Sequence, residues 1–386
     1  LAEVAQRLTM LLRPGDTIAR FGGDEFAILI DDIDGPARAT HVAQRLIDEL
    51  KLPFTLEGRE VFVAGSIGIT LPPAGRPVPT APDLIREADI ALYQAKEAGR
   101  GRAIMYDPGM MRRAMDRLDL ETDLRFALTR GELKLLYQPE VDLESGQILG
   151  MEALLRWDHP QRGRISPTEL IPIAEETGMI VPIGWWVLDE ACRQGLAWQR
   201  PDDADQPLVM SVNISPRQFQ EPGFVERVGA ALRETGLPAR CLRLEITEST
   251  LMDETATTEE TIRRLKALGV GVAIDDFGTG YSSLSYLRRF AVDTLKIDRS
   301  FVAALDRDRG TDAIVRAVMT LGSSLGLKVT AEGIETSEHL ALVRSIGCRQ
   351  GQGFYHSPPV TVEEMAVLLA GGPLQGVSWV QKLGAA

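Results

Sequence analysis

From Lys134 onward one rhythm constrains the fold more than any other feature of the sequence. Short strand-like segments recur at about 134–139, 148–153, 208–213, 241–246, 270–275, 293–297, 327–331 and 349–354, separated mostly by stretches of helical periodicity. Eight strands in that alternation, over roughly 250 residues, predict an α/β fold of the (β/α)8 TIM-like barrel type. The link between the first two segments, Asp142 to Gly146, is hairpin-like, so the first strand is expected to run antiparallel.

Upstream the pattern is different. Residues 3 to 13 read as an amphipathic helix, and Ile18–Phe21 and Phe26–Ile30 as two strands joined by Gly22-Gly23-Asp24-Glu25, a tight turn with two carboxylates at its tip. A helix over Gly35–Leu50, strands around Phe54 and Val61–Thr70, a Pro- and Gly-rich loop over Leu71–Pro82 and a helix to Ala98 complete a partial α+β domain that ends near Asp107. Asp107-Pro108-Gly109 breaks the chain, and a helical pattern resumes over Met110–Leu128. The expected organisation is a first domain at 1–107, a linker helix at 108–117, the barrel at 118–372 and a C-terminal tail at 373–386.

Composition excludes several function classes. No apolar run approaches the eighteen or more residues of a spanning helix, so no membrane segment is expected within this stretch. The net charge of −13 argues against a nucleic-acid polymer as partner. Cys192, Cys241 and Cys348 are odd in number and far apart, which fits neither a disulfide framework nor a zinc site and makes a reducing cytoplasm the expected location. The chain opens on Leu1 with helical sequence already under way and reads as the back portion of something longer, in which a sensory or membrane-anchoring region would lie upstream.

Barrel enzymes carry their chemistry at the carboxyl ends of strands. Polar residues fall there in this sequence: Glu152 and Arg156 on the second strand, Asn213 on the third, Glu245 and Glu248 on the fourth, Asp275 and Asp276 on the fifth, Lys296 and Asp298 on the sixth, Glu332 on the seventh and Gln352 in the eighth. Carboxylates in such apolar surroundings are costly unless paired or bound to a metal. An oxygen-only donor set favours Mg²⁺ or Mn²⁺, and two ions about 3.5–4 Å apart are the usual clamp for phosphodiester displacement. Asp275 and Asp276, adjacent at a strand end, are both expected to turn toward the site.

For single residues a structural role competes with the functional one. Glu248, Asp298 and Glu335 read equally well as helix caps or surface acids, His41, His159, His339 and His356 as surface or capping residues, and Trp185-Trp186 as helix packing.

The segment Glu152-Ala153-Leu154-Leu155-Arg156 resembles the signature of EAL-domain cyclic di-GMP phosphodiesterases. The resemblance continues through Tyr137-Gln138-Pro139, Asn213-Ile214-Ser215, Glu245-Ile246-Thr247-Glu248, Asp275-Asp276-Phe277-Gly278-Thr279-Gly280-Tyr281-Ser282-Ser283-Leu284, Lys296-Ile297-Asp298, Ala331-Glu332-Gly333-Ile334-Glu335 and Gln352-Gly353-Phe354. It implies metal ligation by Glu152, Asn213, Glu245, Asp275 and Asp276, action of Lys296 and Glu332 on the hydrolytic water, and substrate contacts from Gln138, Leu155, Arg156 and Gln352. Glu248, Asp298 and Glu335 would support the site, and Phe277–Leu284 would form a loop serving metal binding and dimer contacts. Arg349 is a departure, since the family often carries Asp there.

The first domain is similar to the GGDEF diguanylate cyclase family through Arg20-Phe21-Gly22-Gly23-Asp24-Glu25-Phe26 and through Ala88-Asp89-Ile90-Ala91-Leu92-Tyr93 with Ala95-Lys96. Arg13-Pro14-Gly15-Asp16 resembles that family's inhibitory cyclic di-GMP site through Arg13 and Asp16, although Pro-Gly-Asp is also ordinary turn chemistry. The family's domain begins before residue 1, so no cyclase activity is expected of this stretch, and GTP is a candidate ligand only of a complete first domain. The resemblance as a whole implies hydrolysis of cyclic di-GMP by a two-metal mechanism in a homodimer. The alternatives are an inactive cyclic di-GMP receptor and a Mg²⁺-dependent barrel lyase.

Overall fold

The structure, a computed structural model, describes residues 1–56, 59–72, 79–199, 207–252, 256–278, 289–305 and 307–374. The chain divides into two units, Leu1–Leu120 and Glu121–Ala386. The expected loop Phe277–Leu284 is described only as far as Gly278, and the expected tail 373–386 only as far as Leu374.

The first unit is the expected α+β arrangement. Strands β1 (Thr17–Gly22) and β2 (Glu25–Leu29) form an antiparallel hairpin in which Gly22 pairs with Glu25. Two further small pairs follow: β3 (Phe54–Leu56) runs antiparallel to β4 (Arg59–Val61), and β5 (Ile67–Ile69) parallel to β6 (Ala103–Met105). The expected single strand Val61–Thr70 is thus split in two. Leu8 of the helix Ala2–Leu11 packs with Val42, Leu46 and Leu50, spaced four apart on the helix Gly35–Leu50, and with Phe54. The helix Pro108–Ala127 runs through the expected linker without interruption.

The second unit is an eight-stranded closed barrel. Its strands are β7 (Leu133–Asp142), β8 (Ile148–His159), β10 (Val209–Ile214), β11 (Leu242–Thr247), β12 (Gly271–Phe277), β13 (Thr294–Ile297), β14 (Lys328–Ala331) and β15 (Gln350–Gly351). Neighbours follow that order, and the β8–β10 pairing closes the ring. β7 is antiparallel to both its neighbours, β8 and β15, and every other barrel pairing is parallel. A short strand β9 (Gly163–Ile165) pairs with the far end of β8, which extends beyond the barrel.

The last strand is shorter than the expected 349–354. Past Gly351 the Gln352 N–H still donates to the Ala331 carbonyl, but beyond it the backbone turns to Ile334, whose N–H donates to the Gln352 carbonyl and whose carbonyl accepts from Tyr355 N–H. A Cβ at Gly353 would come within 2.2 Å of the Ile334 carbonyl oxygen, so this close crossing requires glycine. The helix Val362–Ala370 follows, started by a reciprocal capping box between Thr361 and Glu364.

No helix among the described residues is long and apolar enough to cross a membrane.

Candidate active site

Side chains on alternate residues of a strand share a face. On the inner face of the barrel this parity brings one polar residue from each strand, or from just past its end, to a single level near the carboxyl ends of the parallel strands: Gln138, Glu152, Asn213, Glu245, Asp275, Lys296, Glu332 and Gln352. Gln138 pairs with Glu152 across the β7–β8 ladder, and Asn213 with Glu245 across β10–β11. Glu332 lies one residue beyond β14, tied by its N–H to the Ile297 carbonyl.

Hydrogen bonds join the level into a ring. Asn213 Nδ2 donates to Glu152 Oε1 at 2.6 Å, and Gln352 Nε2 to Glu152 Oε2 at 2.6 Å. Gln138 Nε2 donates to the Ser357 carbonyl. Lys296, only 1% exposed, is the hub. Its ammonium donates to Glu245 Oε2 and, at 3.2 Å, to Glu152 Oε2, and it lies 2.6 Å from Glu332 Oε1 and 3.6 Å from Asp275 Oδ1.

The charges there are set by burial and by one another. Burial works against the Lys296 ammonium, but Asp275, Glu152, Glu245 and Glu332 outweigh it and hold the lysine protonated. Burial also raises Glu152, yet Lys296 and the bonds from Gln352 and Asn213 leave its carboxyl below the usual range. Burial wins at Glu245, which is pushed up to about 7, and at Glu332, which stands well above the usual carboxylate range. Asp276 is pushed up to about 6 by burial and by Asp275 and Asp298.

Asp275 and Asp276 reach one site by a backbone device. The β12–β13 register slips between Ile274 and Phe277, and Asp276 takes φ +53°, a left-handed conformation uncommon outside glycine. As a result, oxygens of Asp275, Asp276 and Glu332 come within 4.8 Å of one another. Glu245 Oε1, fully buried, accepts no hydrogen bond among the described residues. Five carboxylates around one lysine, with a buried oxygen left over, suit hard cations that take oxygen ligands.

Leu155 and Arg156 are half-buried on the outer reach of β8, with Arg156 Nη1 donating to the Leu155 carbonyl. Glu248 Oε2 accepts the Gly278 N–H at 3.0 Å, which ties the end of β11 to the end of β12. Asp298 caps the next helix by accepting from Ser300 N–H. Glu335 is exposed.

Of the histidines, His159 is buried and takes the capping role rather than the surface one: its Nδ1 accepts the N–H groups of Gln161 and Arg162, so Nε2–H donates to Asp123. His356 is also buried, which pushes its ring down to about 4 and keeps it neutral. His339, as expected, sits at a helix start, where its N–H bonds to Thr336 Oγ1.

In the first unit, Gly22, Gly23, Asp24 and Glu25 form the hairpin tip, with Arg20 donating to the Gly23 carbonyl and Lys96 3.5 Å from Glu25 Oε1, while Phe26 packs on the core. Arg13 turns inward onto the carbonyls of Asp31 and Asp32, and its N–H donates to Asp16 Oδ2. The pair thus closes a turn here.

Sequence reasoning missed a second polar level beneath the first. Glu140, Ser211, Arg243 and Thr330 are buried and bonded together, two residues before or after Gln138, Asn213, Glu245 and Glu332. Arg243 between Leu242 and Leu244, on the parity of Glu245, was the available signal.

The family model for the EAL domain matches residues 121–359, and that for the diguanylate cyclase GGDEF domain matches residues 1–102. The chain is 44% identical over 370 residues to the bifunctional diguanylate cyclase/cyclic di-GMP phosphodiesterase MucR of Pseudomonas aeruginosa, covering 96% of this chain and 53% of MucR. It is 37% identical over 369 residues to the cyclic di-GMP phosphodiesterase NbdA of the same organism, covering 96% of this chain and 46% of NbdA. The chain therefore spans about half the length of these relatives. A solved structure of the PaMucR phosphodiesterase in complex with c-di-GMP superposes with a TM-score of 0.61 at 46% identity, over 64% of this chain and 99% of that one. With the barrel, its charged mouth and these matches together, the chain belongs to the EAL-domain family and carries a GGDEF-domain region ahead of its barrel.

Proposed function

We propose that the barrel hydrolyses cyclic di-GMP to linear pGpG. The observation that carries this reading is the ring of Glu152, Asn213, Glu245, Asp275, Glu332 and Gln352 around buried Lys296. That ring matches residue for residue the motifs by which the sequence resembles EAL phosphodiesterases. MucR and NbdA, both named as cyclic di-GMP phosphodiesterases, support the substrate.

Glu152, Asn213, Glu245, Asp275 and Asp276 would hold two Mg²⁺ or Mn²⁺ ions. When bound, such ions offset the clustered carboxylates, polarise the phosphodiester and lower the pKa of water. Lys296 keeps Glu152, Glu245 and Glu332 at fixed positions and holds positive charge beside the attacked phosphorus. Glu332, in its carboxylate form, would take one proton of the water as the water oxygen bonds to phosphorus. The P–O3′ bond breaks in the same displacement, and the 3′ oxygen leaves with the bonding pair and takes up a proton from solvent, giving the 3′-hydroxyl of the linear dinucleotide. Arg156 would contact a phosphate, Gln138 the guanine region, and Leu155 and Gln352 the substrate as well, with Glu248 and Asp298 bracing the strand ends and Glu335 the loop after β14.

The proposed organisation is the GGDEF part at 1–107, a linker helix at 108–117, the barrel at 118–372 and a tail at 373–386, acting as a homodimer in the cytoplasm. The GGDEF part would regulate rather than synthesise, with GTP as its candidate ligand. The test is to incubate the chain with cyclic di-GMP and follow the linear product. Turnover with Mg²⁺ or Mn²⁺, but not with Ca²⁺, whose longer bonds and irregular coordination suit the site poorly, is expected. Tight binding without turnover under all three ions would favour the receptor reading instead.

A further inference from the structure

Beneath the ring, Arg243 crosses the barrel interior to Glu140. Its Nη2 donates to Glu140 Oε2, and its Nε donates to Ser211 Oγ at 2.7 Å. The other Glu140 oxygen accepts from Thr330 Oγ1 at 2.8 Å. Arg243, Glu140 and Glu245 are 7%, 2% and 1% exposed, so none of these charges is met by bulk water. Glu245 Oε1, which accepts no hydrogen bond among the described residues, lies 3.5 Å from Arg243 Nε.

The guanidinium therefore stands between two carboxylates, hydrogen-bonded to Glu140 and only ion-paired, without a hydrogen bond, to Glu245. We propose that Glu140 is a positioning residue for the cation site: by holding Arg243 from below, it keeps that guanidinium from closing on Glu245 and leaves the Glu245 oxygen free for a divalent ion. The inference rests on the reading of Glu245 as a metal ligand. Its physical basis is that a buried arginine seeks a carboxylate, and a guanidinium closed on Glu245 would compete for the same lone pairs that a cation needs. Partners of ligating residues typically alter metal affinity by about 10–100-fold when removed.

The test is a Mn²⁺ titration of the whole chain without substrate, read by the electron paramagnetic resonance of free Mn²⁺. Glu140→Gln releases Arg243 onto Glu245 and is expected to weaken Mn²⁺ binding about tenfold or more. The double variant Glu140→Met with Arg243→Met removes both the guard and the competitor and is expected to bind Mn²⁺ close to the parent affinity. A merely structural role for the pair would not give that rescue. Should Glu140→Gln fail to fold, Glu140→Asp draws the carboxylate back by one methylene and is expected to weaken binding in the same direction. Unchanged affinity in the folded single variant, or a double variant as weak as the single, would overturn the proposal. Glu245→Gln separates the two readings: if it leaves Mn²⁺ affinity intact, Glu245 is no ligand, whereas if it weakens binding and Glu140 variants do not, only the role of Glu140 fails.

Discussion

Replacing Lys296 by Met should destabilise the metal-free chain far more than an ordinary core substitution. Methionine fills nearly the same volume, so the cost is electrostatic. The ammonium lies 2.6, 3.2 and 3.6 Å from Glu332, Glu152 and Asp275 and is bonded to Glu245. A unit pair at about 3 Å and an effective dielectric of about 20 attracts by roughly 5 kcal/mol before desolvation is charged against it. Breaking one partner from a buried pair typically costs about 3–5 kcal/mol, and a cation shared among four carboxylates belongs at the upper end. At roughly 2–4 °C per kcal/mol for a domain of this size, a loss of about 5 kcal/mol lowers the melting temperature by about 10–20 °C. The assay is thermal melting at pH 8, followed in the transition that Mn²⁺ shifts, with and without the ion. Saturating Mn²⁺ should recover much of the loss, because a divalent ion neutralises the same carboxylates. A metal-free variant that melts with the parent would refute the idea that Lys296 neutralises the ring.

Further outcomes follow from the same geometry. Asn213→Ala removes the donor that holds Glu152 Oε1 and should weaken both Mn²⁺ binding and turnover by about 10–100-fold, measured by titration and product formation; an unchanged metal affinity would count against the placement of Asn213. Glu245 and Asp276 stand at about 7 and about 6, above their ordinary values of 4.5 and 3.8, so the metal-free folded state holds more protons than the unfolded chain. Their contribution is therefore complete at low pH and is lost as pH rises through 7, and the stability of the parent relative to Glu245→Gln should fall between about pH 5 and 7 in urea titrations. A difference that grows with pH would contradict the sign. Gly353→Ala forces a Cβ to 2.2 Å from the Ile334 carbonyl and should cost about 3 kcal/mol or more while loosening Gln352 from Glu152, seen as a lower melting temperature together with weaker substrate binding. An alanine variant as stable as the parent would mean that the chain crossing yields easily.

Much of the barrel and its mouth was legible because strand parity and strand ends are written directly in sequence spacing. Glu152, Asn213, Glu245, Asp275 and Lys296 each stand in a largely apolar strand segment, and that contrast located them. What was less legible depends on contacts between distant segments. The eighth strand ends early because Ile334 takes the Gln352 carbonyl and the Tyr355 N–H, a pairing that no local pattern reports. The left-handed turn at Asp276 explains how two adjacent acids share a site, yet its only local trace is that Asp tolerates that conformation. For His159 sequence could not choose between a surface and a capping role, because the burial is set by Asp123, which comes from the distant helix Pro108–Ala127. Arg243 and Glu140 were readable one by one as charges on inward parity, but their pairing across the barrel needed the closed ring.

The central claim is that this ring of side chains hydrolyses cyclic di-GMP rather than merely binding it. The most direct measurement is product formation from cyclic di-GMP with Mn²⁺ by the chain and by its Glu152→Ala variant in parallel, with melting curves showing that both are folded. The expected result is linear pGpG from the parent and none from the variant. Equal turnover by a folded Glu152→Ala variant, or none by the parent, would contradict the account.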